Sequence, residues 1–364
     1  MVPPYLIAAV VYGTLFALMA MGLTLTYMTT KVPNFAYGSF VTIGLYTAYD
    51  LFKLNGVGPY EAALVAFLVS GAASILMYLG VLRPLARRGT PLVALMIATF
   101  GIDIGFIGIF GIYTDYLQSR YGLIDAKQFF QLPADFQLFG VQGVVIVAPL
   151  VLAAITLLLF LLFTRTKFGV AMRASVENPS LARVLGIDVE RVYTVSWMLG
   201  GGFAGLAGAL YTLWLPGGTS TGSDLIVEIF ASSILGGLTS IFGAVLGGLV
   251  IGSSEDIVTV TLAQGFGWVG TGIIVAILVV AGFFLFREKQ QGRRIFGVVL
   301  AVVGAYIAFE MISGFSTDLF AFGLVNGFGT NVTPFQKGIP LLIMVMSLLV
   351  LPRGLVSLNL RRRK

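Results

Sequence analysis

Long apolar stretches at 5–27, 36–53, 58–82, 92–113, 141–164, 192–215, 267–286, 295–314 and 339–351 alternate with short segments that hold most of the charge. A helix of about 20 apolar residues crosses a hydrocarbon core of about 30 Å, so each stretch predicts a transmembrane helix. The last is short and borrows length from Gly338 and the Pro352–Arg353 boundary. Residues 225–252, LIVEIFASSILGGLTSIFGAVLGGLVIG, are apolar but broken at Gly236–Gly237 and Thr239–Ser240. They read either as a tight pair of crossings or as a re-entrant hairpin of two half-helices. Irregular backbone at membrane depth survives only when buried in protein or lining a watery cavity, which makes Gly236, Gly237 and Ser240 candidates for a translocation pathway. The expectation is an all-α polytopic membrane protein of about 9–11 transmembrane helices, including this glycine-broken pair.

Composition sharpens the class. The chain is 58% hydrophobic and 10% charged, with a mean hydropathy of +0.98, too apolar to be buried in one soluble core. Seventeen of the 22 basic residues fall in four clusters between apolar stretches: Arg83/Arg87/Arg88, Arg165 to Arg191, Arg287 to Arg294 and Arg353 to Lys364. Because Lys and Arg gather in short cytoplasmic loops, these clusters place the N-terminus outside the cell membrane and the C-terminus in the cytoplasm. Spread along the chain, the net charge of +6 speaks for topology and anionic lipid rather than nucleic acid. With no Cys and no His, the chain offers no thiolate, no His-ligated metal or haem and no Ser-His-Asp relay. No catalytic site, metal or cofactor is expected. No soluble domain boundary is visible, so residues 1–364 read as one membrane domain, with 5–27 as a retained first span and 114–140 and 315–338 as outside loops.

Intramembrane polar groups need an account, since a charge at bilayer depth costs at least about 2.5 kcal/mol. Asp103 sits mid-span in ATFGIDIGFIG with no basic residue in its own span. It either bonds a hydroxyl of a neighbouring helix, or is protonated, or lines the pathway. Asn34 follows Pro33 at the start of the second span, where its side chain could cap the helix or serve gating. Glu228 and the pair Glu255/Asp256 flank the broken segment and read as solvated mouth groups. The pairs Gly101/Gly105, Gly201/Gly205, Gly243/Gly247 and Gly248/Gly252 have the spacing of close helix packing.

Residues 165–191, RTKFGVAMRASVENPSLARVLGIDVER, carry more signals than a connector needs. Asn178 is a helix N-cap with Pro179 at the first position, Leu181, Val184 and Leu185 share a face, and Gly186 supplies the stop. This amphipathic helix could rest on the bilayer interface. Alternatively it docks in a groove of a cytosolic partner, with apolar anchors for affinity and Arg173, Glu177 and Arg183 for register.

Four ordered motifs carry a family resemblance. ALMAMGLTLTYMTTKVPNFAYGSF holds Asn34, Phe35, Ala36 and Gly38 in an "NFAHG"-type pattern, although Tyr37 stands where many members have His. TKFGVAMRASVEN from Thr166 fits a "T..G.A.RA...N" pattern; ILGGLTSIFGAVLGGLVIG at 234–252 and LPRGLVS at 351–357 complete the set. The chain resembles the permease subunits of branched-chain amino acid ABC importers. The resemblance implies a type-II-importer-like permease, a second permease subunit as homo- or heterodimer, two cytosolic ABC ATPase subunits and an extracytoplasmic substrate-binding protein. It implies coupling to the ATPase through Gly169, Arg173, Ala174, Glu177, Asn178, Leu181, Leu185 and Gly186, and pathway candidates Asn34, Tyr37, Gly38, Asp103, Gly236, Gly237 and Ser240. Residues 267–338 read as an inserted hairpin and loop. Urea and simple-sugar permeases share much of the pattern, so the solute stays open, and an ATP-independent channel or secondary carrier remains the rival reading.

Overall fold

The computed structural model describes residues 4–133, 135–138, 140–263 and 338–350. The first six expected spans are helices: α1 (Pro4–Thr30), α2 (Tyr37–Asn55), α3 (Pro59–Met77), α5 (Leu92–Tyr121), α6 (Val144–Arg165) and α9 (Val189–Tyr211). A π-helical turn at Tyr78–Leu82 carries α3 into the short α4 (Arg83–Arg87), so one helical rod runs from Pro59 to Arg87. Four helices, α1, α3 to α4, α5 and α6, are each long and apolar enough to cross a membrane. Between α6 and α9 lie α7 (Lys167–Glu177) and α8 (Pro179–Val184). After α9 come α10 (Thr221–Asp224), α11 (Ile226–Gly236), α12 (Ile241–Ala263) and, beyond the undescribed stretch, α13 (Gly338–Val350). The expected spans at 267–286 and 295–314, and most of the inserted 267–338 segment, lie outside the described residues. Two small antiparallel ladders join Gln128–Phe129 to Gly217–Gly218 and Gln137–Leu138 to Val141–Gln142 on the loop side opposite α7 and α8.

The broken segment is neither of the two symmetric alternatives. The 11 residues of α11 rise about 16 Å, half a crossing, whereas the 23 residues of α12 rise about 35 Å. Ser253, Ser254 and Glu255 read as a polar boundary in sequence, yet the helix runs on through them. Ser253 donates to the Ala9 carbonyl (3.1 Å), Ser254 to Ile251 O (2.9 Å), and Glu255 is buried. Gly237 makes the turn with φ +89°, and the Ser240 hydroxyl caps α12 by accepting from Gly243 N (3.1 Å).

α1, α2, α3, α9 and α12 form the packed centre, and most of α1 is buried. Without a hydrophobic driving force between helices in lipid, small residues and hydroxyls set the contacts. α12 runs antiparallel to α1, with Gly252 against Gly13 and Gly248 against Ala17. α9 runs antiparallel to α3, with Gly201 against Ser74 and Gly205 against Ser70 and Ala66. Gly44 of α2 rests on the Gly205 backbone and leaves no room for a Cβ. Ser70 and Ser74 donate across the same seams to Phe40 O and Trp197 O, both at 2.8 Å. The Gly101/Gly105 pair behaves differently. Among the described residues it meets nothing within 4 Å, so its spacing packs no helix described here.

Gly44→Ala should cost about 1–3 kcal/mol, because two backbones must separate to admit the methyl. Gly101→Ala in the isolated subunit should be near neutral. Thermal unfolding of the detergent-solubilised chain compares the two, and equal melting temperatures would show that the α2–α9 approach is not tight.

Candidate functional site

Two irregular stretches meet beside α5. One is 31–36 between α1 and α2, beginning at Lys31 with φ +57°; the other is 212–225, leading from α9 through α10 into α11. Each exposes backbone amides that a helix would have satisfied, and hydroxyls take them up. Phe35 N donates to Thr99 Oγ1 (3.1 Å) and Gly222 N to Thr42 Oγ1 (3.0 Å). The Gly38 and Gly222 backbones touch, which a side chain on either would forbid. At their junction sits Asp103, 5% exposed, accepting from Ser39 (2.6 Å) and Ser223 (3.0 Å) on the same oxygen, Oδ1. The hydroxyl-bonded alternative for Asp103 therefore holds. Next to this node, Phe35 packs on Phe100 (centroids 6.2 Å) and on Phe230 of α11 (5.3 Å).

The pathway candidates separate on this frame. Gly38 and Asp103 lie in the node, and Asn34 precedes Phe35 within it. Asn34 is fully buried, and its side-chain amide makes no hydrogen bond to the described residues. It does not cap α2. That helix starts at Tyr37 with Ala36 in the cap position, so Asn34 stands two residues early and only its carbonyl accepts, from Tyr37 N (3.3 Å). Tyr37 is buried, with its hydroxyl directed between Met19 O (2.8 Å) and Gly200 O (3.2 Å), a strut joining α1, α2 and α9. Gly236, Gly237 and Ser240 lie at the far end of α11, where Ser233 meets Thr24 of α1 (2.6 Å). Glu228 and Glu255 are buried, not solvated: α11 and α12 pack on α1 and carry both side chains inside the protein.

On the 165–191 loop Asn178 Oδ1 accepts from Leu181 N (3.0 Å), Pro179 opens α8, and Gly186 closes it at φ +82°. Thr166 caps α7 by accepting from Gly169 N (3.2 Å), and Gly169 rests on the Leu162–Phe163 backbone. Arg173, Glu177, Asn178 and Gly186 are exposed and Ala174 is half-buried. Ala182 holds α8 down, leaving Leu181, Val184 and Leu185 at 54%, 83% and 70% exposure. Sequence reasoning missed Glu190, in the first turn of α9. Its carboxylate meets Arg83 (2.7 Å), Arg87 (3.5 Å) and Arg183 (3.8 Å), joining α4, α8 and α9. Tyr78, in the π turn, also donates to it at 3.5 Å and stacks on Trp197 (5.3 Å). Spacing alone could not link residues about a hundred positions apart, although an acid in a strongly basic loop was a signal.

Fold and site together define an all-α, multi-pass membrane protein. Residues 5–282 match the family described as branched-chain amino acid transport system, permease component, and the chain belongs to that family. It is 45% identical over 267 residues to "Probable branched-chain amino acid transport permease protein LivH" of Methanocaldococcus jannaschii, covering 73% of this chain and 83% of that protein. To the high-affinity branched-chain amino acid transport system permease proteins BraD of Pseudomonas aeruginosa and LivH of Escherichia coli K12 it is 29% and 28% identical, over 69% and 74% of this chain and 84% and 91% of theirs. No solved structure matches the chain. It is a transport permease.

Glu190→Gln should loosen the packing of α4 and α8 on α9, removing the common anion of three arginines at a cost of about 1 kcal/mol. Hydrogen exchange in nanodiscs should quicken at 83–88 and 178–188 and stay unchanged around Asp103. Unaltered exchange at both arginine segments would remove Glu190 as their tie.

Proposed function

We propose that this chain is the membrane-spanning subunit of an ATP-driven importer of branched-chain or related small aliphatic amino acids, and that it hydrolyses nothing itself. Two cytosolic ABC ATPases supply the work, a second permease subunit completes the conduit, and an extracytoplasmic binding protein delivers the solute. The names of its relatives support the solute class. The observation that carries the coupling is α8: a capped helix off the membrane core, seated by Ala182 and presenting Leu181, Val184 and Leu185 outward. Such a face is an anchor for a groove, with Arg173, Glu177 and Asn178 around it for register, while Gly169, Ala174 and Gly186 shape the loop.

Orientation follows from charge: α4, α7 and α8 face the cytoplasm, the N-terminus of α1 faces outward and the C-terminal tail lies inside the cell. The open faces of Gly101 and Gly105 on α5 offer the second permease subunit a close approach. Within one membrane domain spanning 1–364, the pathway runs past Asn34, Gly38 and Asp103, and the Gly236–Gly237–Ser240 turn lets α11 swing against α12. Tyr37 holds the wall of that route. Closure of the ATPases moves α8 and tips the packed helices between outward-open and inward-open arrangements.

The test is Leu181→Asp combined with Leu185→Asp, co-expressed with the ATPases and the second permease. Membrane insertion should persist, while ATPase co-purification and ATP-dependent leucine uptake into proteoliposomes are lost. A double variant that keeps its ATPases would overturn α8 as the coupling element.

A further inference from the structure

Asp103 has more chemistry than a bracket between helices requires. It lies twelve residues into the 30 of α5, about 17 Å from its start and so near the bilayer midplane. Among the described residues it has no basic partner within ion-pair distance, and its two donors, Ser39 and Ser223, are neutral hydroxyls that share Oδ1. No hydrogen bond to Oδ2 comes from the described residues. Packing alone could have used Asn, which satisfies two hydroxyls without placing a charge in hydrocarbon. Ser39 and Ser223 bond Asp103, while on the same helix Thr99 takes the amide of Phe35, whose ring packs on Phe230 and on the half-exposed Phe100. Both interrupted stretches converge here, the arrangement in which carriers hold solutes at mid-depth.

We infer that Asp103 is the ammonium-binding group of the translocation route, with Oδ2 accepting the solute's α-ammonium and the Phe35/Phe100/Phe230 cluster taking its branched aliphatic side chain. The zwitterion is the form that needs such a partner. Its ammonium loses water on entering the membrane, and a carboxylate already held by two hydroxyls replaces that hydration without reorganising. The inference rests on the importer reading above and gives it a chemical basis for amino acids over uncharged solutes such as sugars or urea.

The experiment uses the whole importer in proteoliposomes. Asp103→Asn should lower ATP-driven leucine uptake by about tenfold or more, the loss of a charge-assisted hydrogen bond, with assembly and binding-protein-stimulated ATP hydrolysis retained. Asp103→Glu should restore much of the uptake. The chain has no cysteine, so Ser223→Cys provides a unique thiol beside the node. Leucine should slow its modification by a methanethiosulfonate reagent, whereas 4-methylpentanoate, which lacks the ammonium, should not. Full uptake by Asp103→Asn, parallel loss of uptake and ATP hydrolysis, a thiol that never reacts in any nucleotide state, or equal protection by both solutes would each overturn the assignment. If the unaltered importer carries no leucine at all, the importer reading itself fails, a result distinct from these.

Discussion

A backbone amide inside the hydrocarbon core has no water to bond, and this one constraint orders the rest of the structure. Where the chain stays helical the constraint is met internally. Where it breaks, a hydroxyl stands ready: Thr99 for Phe35 N, Thr42 for Gly222 N, Thr221 for Gly218 N, Ser240 for Gly243 N. The interruptions at 31–36, 212–225 and 237–240 are therefore built features and not frayed ends. Their hydroxyls are neutral and short, so each bond can be remade by water or by a solute when the chain shifts. A break healed by an aliphatic contact would lack that reversibility.

The same logic explains the packing. In lipid the helices gain little by hiding apolar area from one another, so they approach through glycine and serine until backbone meets backbone. Gly22, Gly200, Gly44, Gly205 and Gly208 concentrate on the seams among α1, α2 and α9, whereas Gly101 and Gly105 on α5 meet nothing. Close contacts of this kind do not deform gradually. They hold or they separate, and the same backbone contact recurs where Gly222 of α10 meets Gly38 and where Gly236 of α11 meets Gly243 of α12.

How much of this could be read beforehand depended on distance along the chain. The spans were legible because helix length and apolar content are local, and so were the Asn178–Pro179–Gly186 signals of α8, whose cap is made within three residues. The break at Gly236–Gly237 was visible, but its asymmetry was not. Glu228 and Glu255 look like mouth groups in sequence and are interior because α11 and α12 pack on α1. Asn34 illustrates the reverse error: a good capping residue two positions too early, left buried with its amide unused. Asp103 was recognisable as costly, yet its partners Ser39 and Ser223 stand 64 and 120 residues away. Glu190 escaped notice altogether, since its meaning depends on Arg83 and Arg87, about a hundred residues away, as well as on Arg183 of its own loop.

α9 connects the two places where charge is concentrated in the described protein. Its first turn carries Glu190, held by arginines from α4 and α8; its middle bears Gly200, Gly205 and Gly208 in backbone contact with α1, α3 and α2; its end leads through 212–220 to Ser223 on Asp103. A rod of 23 residues spans about 35 Å, and its glycine seams admit no side chain between it and α1, α2 and α3, so the Glu190 end and the end that leads toward Ser223 belong to one rigid element.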